Sequence, residues 1–379
     1  MSDATPTHMD RLQRGVLAVA VVALLLLIIS AFFSLDVFFE SYLVGYLYWW
    51  GITLGSGAII MIHQLTGGRW GTAINGVLES SLRNIILLAA LFVPVLLGLG
   101  RLYHWVGESE TLGSKAAYLN VPFFVIRTVL YFVLWAIGGV LLVRWAIQRR
   151  TQPDTGGTDR LMALSAGGLI LYVLTVTFAA IDWIMAIDAH WFSSIFGLLI
   201  VIGQLLASLC LAIVVVLLTA RTRGAPLAIN TLHDLGNLLL ACVSLWAYIQ
   251  FSQFLIIWYG NLPEEIVWYV PRTRGAWGVV AVVLILLHFA VPLIVLLARQ
   301  SKRHPTIMLA AAFGLLVLHA VDLLWIVVPS FHRDTGWPIL MDLIAIVGVG
   351  CVWLFFFMGY LRQYRSGADT GEGVSQTHG

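Results

Sequence analysis

Apolar residues in this chain come in blocks of about twenty, the length of helix that crosses a hydrocarbon core of about 30 Å. Short clusters of Gly, Pro, Arg, Asn and acidic residues separate the blocks. Lipid offers the backbone no hydrogen-bond partner, so blocks of this kind must be helices that satisfy themselves. The pattern predicts ten spans, near 15–35, 41–64, 82–100, 122–147, 162–185, 193–219, 232–258, 277–298, 306–328 and 337–361. Arg11 and Arg14 precede the first block in the manner of a signal peptide. The block is too long for one, and no small-residue cleavage site follows it, so it reads as an anchor.

Composition agrees. With 60% hydrophobic and 11% charged residues among 379, a soluble domain would carry far more apolar surface than it could bury. The expectation is an all-α polytopic membrane protein with a cytoplasmic tail over 1–14, a ten-helix domain over 15–365 and a Gly/Ser/Thr/Gln-rich, disordered tail over 366–379. A flexible cytoplasmic connection is expected around Arg149 to Arg160, where Pro153, Asp154 and Gly156-Gly157 fall together.

Charge sets orientation. The amino tail, the loops after the even-numbered spans and the carboxyl tail hold about fifteen Lys and Arg, against about five in the other loops, which places both termini in the cytoplasm. The net charge of +2 is thereby explained by topology, with no nucleic-acid partner implied. Cys210, Cys242 and Cys351 fall inside spans without CxxC spacing, so neither a disulfide framework nor a zinc or iron–sulfur site is indicated.

Polar residues at membrane depth carry the chemistry. Toward the outer side lie Arg127, Asp182, Gln250, Gln253, His319, Asp322 and Asp342; toward the inner side lie His63, Gln64, Glu79, His233 and Asp234. Gln204 and His288 fall nearer the middle. The arrangement suggests two half-channels of titratable groups with a sparse centre. His319 and Asp322 are three apart on one helix face, within reach of proton exchange. Asp234 reads equally as a helix cap, and Glu79 with Arg83 as an interfacial pair. An arginine as deep as Arg127 needs a carboxylate or water, and Asp182 is the partner expected for it, as a structural salt bridge or as a proton or quinol site. His288 and His319 are the only mid-membrane histidines and are not repeated, which argues against bis-histidine haem. Leu82–Ala89 and Leu235–Ala241 echo one another weakly, four spans apart, as a parallel duplication would.

Two outer edges stand out. One runs from Phe178 through Asp182, Asp188 and His190 to Phe196; the other, from Phe251 to Tyr269, holds Asn261, Glu264 and Glu265 in an aromatic, proline-set turn. Acids at such an edge suit a proton exit or the docking of a partner.

These runs, Ile181–Phe196 and Trp246–Glu265, together with Tyr118–Phe124, resemble the NrfD/PsrC-like membrane subunits of bacterial alternative complex III, most closely the F subunit. The likeness extends from about Tyr42 to Phe331. It implies two four-helix bundles, over 41–185 and 193–328, with flanking helices over 15–35 and 337–361, in a multi-pass protein of the bacterial inner membrane. The complex so implied is a quinol:cytochrome c (or other high-potential acceptor) oxidoreductase. Its partners would be a paralogous C-type membrane subunit, a periplasmic iron–sulfur subunit and multihaem cytochrome c subunits, which carry the haem c and iron–sulfur clusters. Menaquinol or ubiquinol would be oxidised in the C subunit. Here no histidine falls within span four or five to complete a quinol-binding set around Arg127 and Asp182. The resemblance therefore implies proton relay and assembly, with no cofactor bound by this chain. The relay would use His63, Glu79, His233 and Asp234 on the inner side, His288 midway, and Asp182, Asp188, His190, His319 and Asp322 on the outer side. A quinol-binding subunit, a pure scaffold and a stand-alone transporter are the rival readings; a transporter would show Gly/Pro interruptions at matching positions, and Pro94 in span three has no clear counterpart in span seven.

Overall fold

The computed structural model describes residues 8–107, 113–151, 157–331 and 336–375. Among these the chain has no strand, and ten helical stretches are long and apolar enough to cross a membrane. It is an all-α polytopic membrane protein. In chain order the helices are α1 (His8–Ala31), α2 (Leu35–Thr66), α3 (Arg69–Leu82), α4 (Ile85–Leu91), α5 (Val93–Leu97), α6 (Leu99–Leu102), α7 (Val121–Thr151) and α8 (Gly157–Trp183). There follow α9 (Phe196–Arg223), α10 (Ile229–Gly260), α11 (Pro263–Ile266), α12 (Tyr269–Thr273), α13 (Gly275–Val283), α14 (Val291–Leu297), α15 (Pro305–Val327) and α16 (Trp337–Ser375). A π-helical segment, Leu284–Ala290, joins α13 to α14.

The spans fall close to their expected places, with one correction. The third crossing starts at Arg69 instead of near 82, because α3 is amphipathic and turns Glu79, Ser80 and Ser81 inward, where all three are buried. A hydropathy reading stops at such residues; packing against α2, α9 and α16 accommodates them. The crossing is then broken at Arg83-Asn84, at Phe92 and at Gly98, with Pro94 opening α5 as a first-turn proline. At the far end α16 stays helical to Ser375, through most of the tail that composition reads as disordered; no proline interrupts it there. Residues 376–379, and residues 152–156 of the expected flexible connection, lie outside the described set.

α2 is the axis of the molecule. Every residue from Glu40 to Met61 is buried, enclosed by α3, α8, α9 and α16. Such enclosure requires small residues where backbones meet. A Cβ on Gly45 would come within 2.6 Å of the Ala345 backbone of α16, and one on Gly55 would collide with the Gln204 carbonyl and Ser208 hydroxyl of α9. Ser208 also donates to the Ile52 carbonyl at 2.7 Å, a polar tie between the same helices. α2, α3–α6, α7 and α8 lie on one side of the α2–α9 contact; α9, α10, α13–α14 and α15 lie on the other.

One end of the bundle gathers the basic residues. Arg149 donates to Gln64 at 2.7 Å, Lys302 to Asn237 at 2.7 Å and Arg365 to Thr219 at 2.9 Å, tying α7 to α2, the turn before α15 to α10, and α16 to α9. This is the end that the positive-inside rule reads as cytoplasmic.

Gly55→Ala is expected to lower the stability of the detergent-solubilised protein by about 1–3 kcal/mol, the usual cost of overpacking. Thermal unfolding followed by circular dichroism would measure it, and a Gly138→Ala variant, where a Cβ meets nothing within 4 Å, should be neutral.

Candidate functional site

Two buried acids occupy comparable places near the outer ends of α8 and α15, and their surroundings differ in kind. Asp182 is fully buried, with Arg127 of α7 donating to both of its oxygens, from Nε to Oδ2 and from Nη2 to Oδ1, each at 2.9 Å. The Tyr131 hydroxyl adds a third hydrogen bond to Oδ2 at 2.8 Å. Arg127 in turn donates to the Tyr118 carbonyl at 3.0 Å and lies over the Tyr118 and Phe123 rings, with Cζ 3.8 and 4.2 Å from their centroids. The expected partnership is therefore a bidentate ion pair with its charge balanced, below a cap of aromatics.

Asp322 of α15 is as deeply buried, but its donors are neutral. Trp246 Nε1 of α10 donates to Oδ2 at 3.0 Å, and Gln250 Nε2, one turn along the same helix, donates to Oδ1 at 3.2 Å. His319 Nδ1 stands 3.9 Å from Oδ2, too long for a hydrogen bond and close enough for a small shift or one water to join them. His288 packs its ring against Trp246, centroids 4.2 Å apart, and neither of its ring nitrogens has a hydrogen-bond partner among the described residues. The three outer and middle groups His288, His319 and Asp322 thus form one cluster in the second set of helices. Among the described residues no Lys or Arg bonds to it.

Cavities lie on both sides of Asp322. A cavity of about 610 Å³ between α10, α13–α14 and α15 has Asp322, Trp246 and Gln250 in its wall. On the other side a small void is lined by Asp322, His319, Gly203 and Gln204, at the seam between α9 and α15 beside α2. Gln204 accepts from Tyr172 of α8 at 2.8 Å, while its amide nitrogen has no partner among the described residues. Gly203 makes the room: a Cβ there would come within 2.9 Å of His319.

The inner residues have local partners. His63 bonds to the Gly68 carbonyl at 3.0 Å and packs edge-on against Trp70, 5.1 Å away. Glu79 accepts from Asn75 at 2.7 Å, and Arg83 donates to Gln363 at 3.3 Å beneath the Tyr360 ring. His233 contacts Asn237 at 3.3 Å and Asp234 at 4.0 Å, all three in the first turns of α10.

At the outer end the two edges meet. Trp191 stacks on Trp268 with centroids 4.8 Å apart and 13° between the planes, and its Nε1 donates to the Glu265 carbonyl at 3.2 Å. Lys115 holds the first edge by donating to the carbonyls of Ala189 and His190 at 2.9 and 3.3 Å. Asp188 is half-buried and His190 exposed. Asn261 closes α10 in the left-handed conformation, φ 49°, and Glu264 and Glu265 open α11 with Glu264 facing outward. Arg272, which sequence reading passed over, is fully buried beneath the Trp268 ring, 3.6 Å from its centroid, and donates to the Trp268 and Ile326 carbonyls and to Ser330. Burial pushes its guanidinium down to about 9, with Asp188 acting in the opposite direction. A deep arginine next to a short aromatic helix was the available signal.

Among the described residues no three His, Cys, Asp or Glu side chains converge as metal ligands. The sequence matches no protein-family model and no curated protein.

Removing one partner of the Arg127–Asp182 pair leaves a buried charge without compensation. Arg127→Ala is expected to cost about 3–5 kcal/mol in denaturant unfolding, and the apolar double variant Arg127→Met/Asp182→Leu should recover most of that loss.

Proposed function

We propose that this chain is a proton-handling membrane subunit of a quinol-oxidising complex of the alternative complex III type, resembling its F subunit and seated in a bacterial cytoplasmic membrane. The contrast between the two acids is the observation that carries the reading. Asp182 has its charge cancelled in place by Arg127, as a structural anchor would. Asp322 has only neutral donors, with two histidines beside it and voids on either side. A buried carboxylate without a counter-ion is costly as a fixed charge, and carboxylate and imidazole can shed that cost by exchanging a proton. A proton entering from the inner groups His63, Glu79, His233 and Asp234 would reach Asp322 by way of Gln204, His319 or His288, with water filling the gaps. It would leave near Asp188, His190 and Glu264. In this reading Asp182 belongs to the scaffold and Asp322 to the path.

Redox chemistry would belong to partner subunits: a paralogous C-type membrane subunit oxidising menaquinol or ubiquinol, an iron–sulfur subunit and multihaem cytochrome c subunits. The Trp191–Trp268 stack gives the outer edge a rigid base on which such subunits could seat. A scaffold without a proton role would have little use for an acid that, among the described residues, has no Lys or Arg beside it and lies at the junction of two voids, which favours the relay.

Asp322→Asn is expected to keep the complex assembled, judged by copurification of haem-bearing subunits with the tagged chain, and to lower protons released per electron by at least a third in proteoliposomes. Unchanged proton release in a fully assembled variant would remove the relay. Failure of the wild-type chain to copurify with haem-bearing subunits would remove the complex.

A further inference from the structure

Trp50, Gln204 and His319 come from three crossings far apart in the chain, and the fold brings all three to the wall of the small void where α2, α9 and α15 meet. Each carries a buried polar atom with no hydrogen-bond partner among the described residues: Trp50 Nε1, Gln204 Nε2 and His319 Nδ1. Leaving such an atom unsatisfied costs about 1–3 kcal/mol. Three of them around one void call for a partner from outside the chain.

Asp322 completes the lining. Each of its oxygens accepts a single hydrogen bond from α10, and a carboxylate has about four lone-pair positions. The wall therefore holds two N–H donors, on Trp50 and Gln204, and two acceptors, the Asp322 carboxylate and His319 Nδ1 in the tautomer with its proton on Nε2. A water molecule accepts twice and donates twice. The four groups are its complement.

Size agrees with this reading. The space a water can occupy in the void is about 20 Å³. One water needs roughly 10–15 Å³ of such space, so one fits and two do not. Glycines on two helices keep the space open: a Cβ on Gly203 would come within 2.9 Å of the His319 ring, and one on Gly51 within 3.2 Å of the Gln204 side chain. A hard cation would seek about six oxygens and would meet two N–H donors instead. The side chains do not satisfy one another, since His319 Nδ1 stands 3.9 Å from Asp322 and the Gln204 oxygen is taken by Tyr172.

We infer that this void is the binding site of a single water, which accepts from Trp50 and Gln204 and donates to Asp322 and His319. The water joins groups that the protein alone leaves apart: Tyr172 with Gln204 across α8 and α9, Trp50 on α2, and Asp322 with Trp246 and Gln250 across α15 and α10. Five crossings from both sides of the α2–α9 seam then share one hydrogen-bonded network. Its work is to hold the seam in register, where hydrogen bonds between helices replace the hydrophobic drive that lipid removes. The site requires nothing of the proposed complex or of proton transfer; it stands on the void and its four side chains.

Cryo-electron microscopy of the full chain, at a resolution that shows other interior waters, should give one density peak within hydrogen-bond distance of all four side chains. Gly203→Ala, which crowds the His319 ring, should remove the peak. In thermal unfolding, Gln204→Leu should lower the Tm less than half as much in a His319→Phe background as in the wild type, because both residues act through one water. Should a variant fail to fold, the map of the unmodified chain decides alone. Equal losses in the two backgrounds, a void without density in such a map, or His319 bonded directly to Asp322 across a closed void would overturn the inference. Unchanged proton release in Asp322→Asn, by contrast, would leave the water in place and count only against the relay.

Discussion

The arrangement depends on one close approach. α2 is enclosed along 22 residues, from Glu40 to Met61, and it can be enclosed only because Gly45 and Gly55 let α16 and α9 come to backbone distance. In a bilayer no hydrophobic drive pushes helices together, since lipid tails are as apolar as the side chains; fit and hydrogen bonding must do it. The α2–α9 seam supplies both, through Gly55 and the Ser208 hydroxyl on the Ile52 carbonyl. The same seam sets where polar groups can be kept away from lipid. Gln204, His319 and Asp322 are gathered there because the interior between the two sets of helices shelters them from lipid.

Near-equal sequences at the two acids lead to different chemistry. Ala180-Ile181-Asp182 and Ala320-Val321-Asp322 place a carboxylate at the outer end of the last crossing on each side of the seam. What separates them is the neighbouring helix: α7 presents Arg127 and Tyr131, whereas α10 presents Trp246 and Gln250. Full charge balance makes the first a fixed element of the fold. Neutral donors orient the second without settling its charge.

Much of this was legible in the chain and some was not, for physical reasons. Crossings follow from block length, so nine of ten were placed within a few residues; α3 escaped because its buried face is polar, and hydropathy averages over faces. Arg127 and Asp182 could be paired in advance, since a deep arginine has few ways to be satisfied. The cluster of His288 with Trp246 and Asp322 could not, because it depends on the rotation of three helices about their axes, to which a run of apolar residues is indifferent. The same indifference hid the cavity and Arg272. Gln250 and Asp322 were both visible as polar residues, while their pairing was not. The stapling of the two outer edges by Trp191 and Trp268 was hidden too, since it depends on how two loops fold over one another.

The π segment holds one residue more than a regular helix would place between the same neighbours. A wide turn of this kind is what an α-helix becomes when one residue is inserted and both ends are held by their neighbours. Deleting one residue between Leu284 and Ala290 would let the segment close to a regular helix while the residues on either side keep their faces, and the widened turn beside the cavity would be lost. The shape of the cavity wall on this crossing thus hangs on a single residue of helix length.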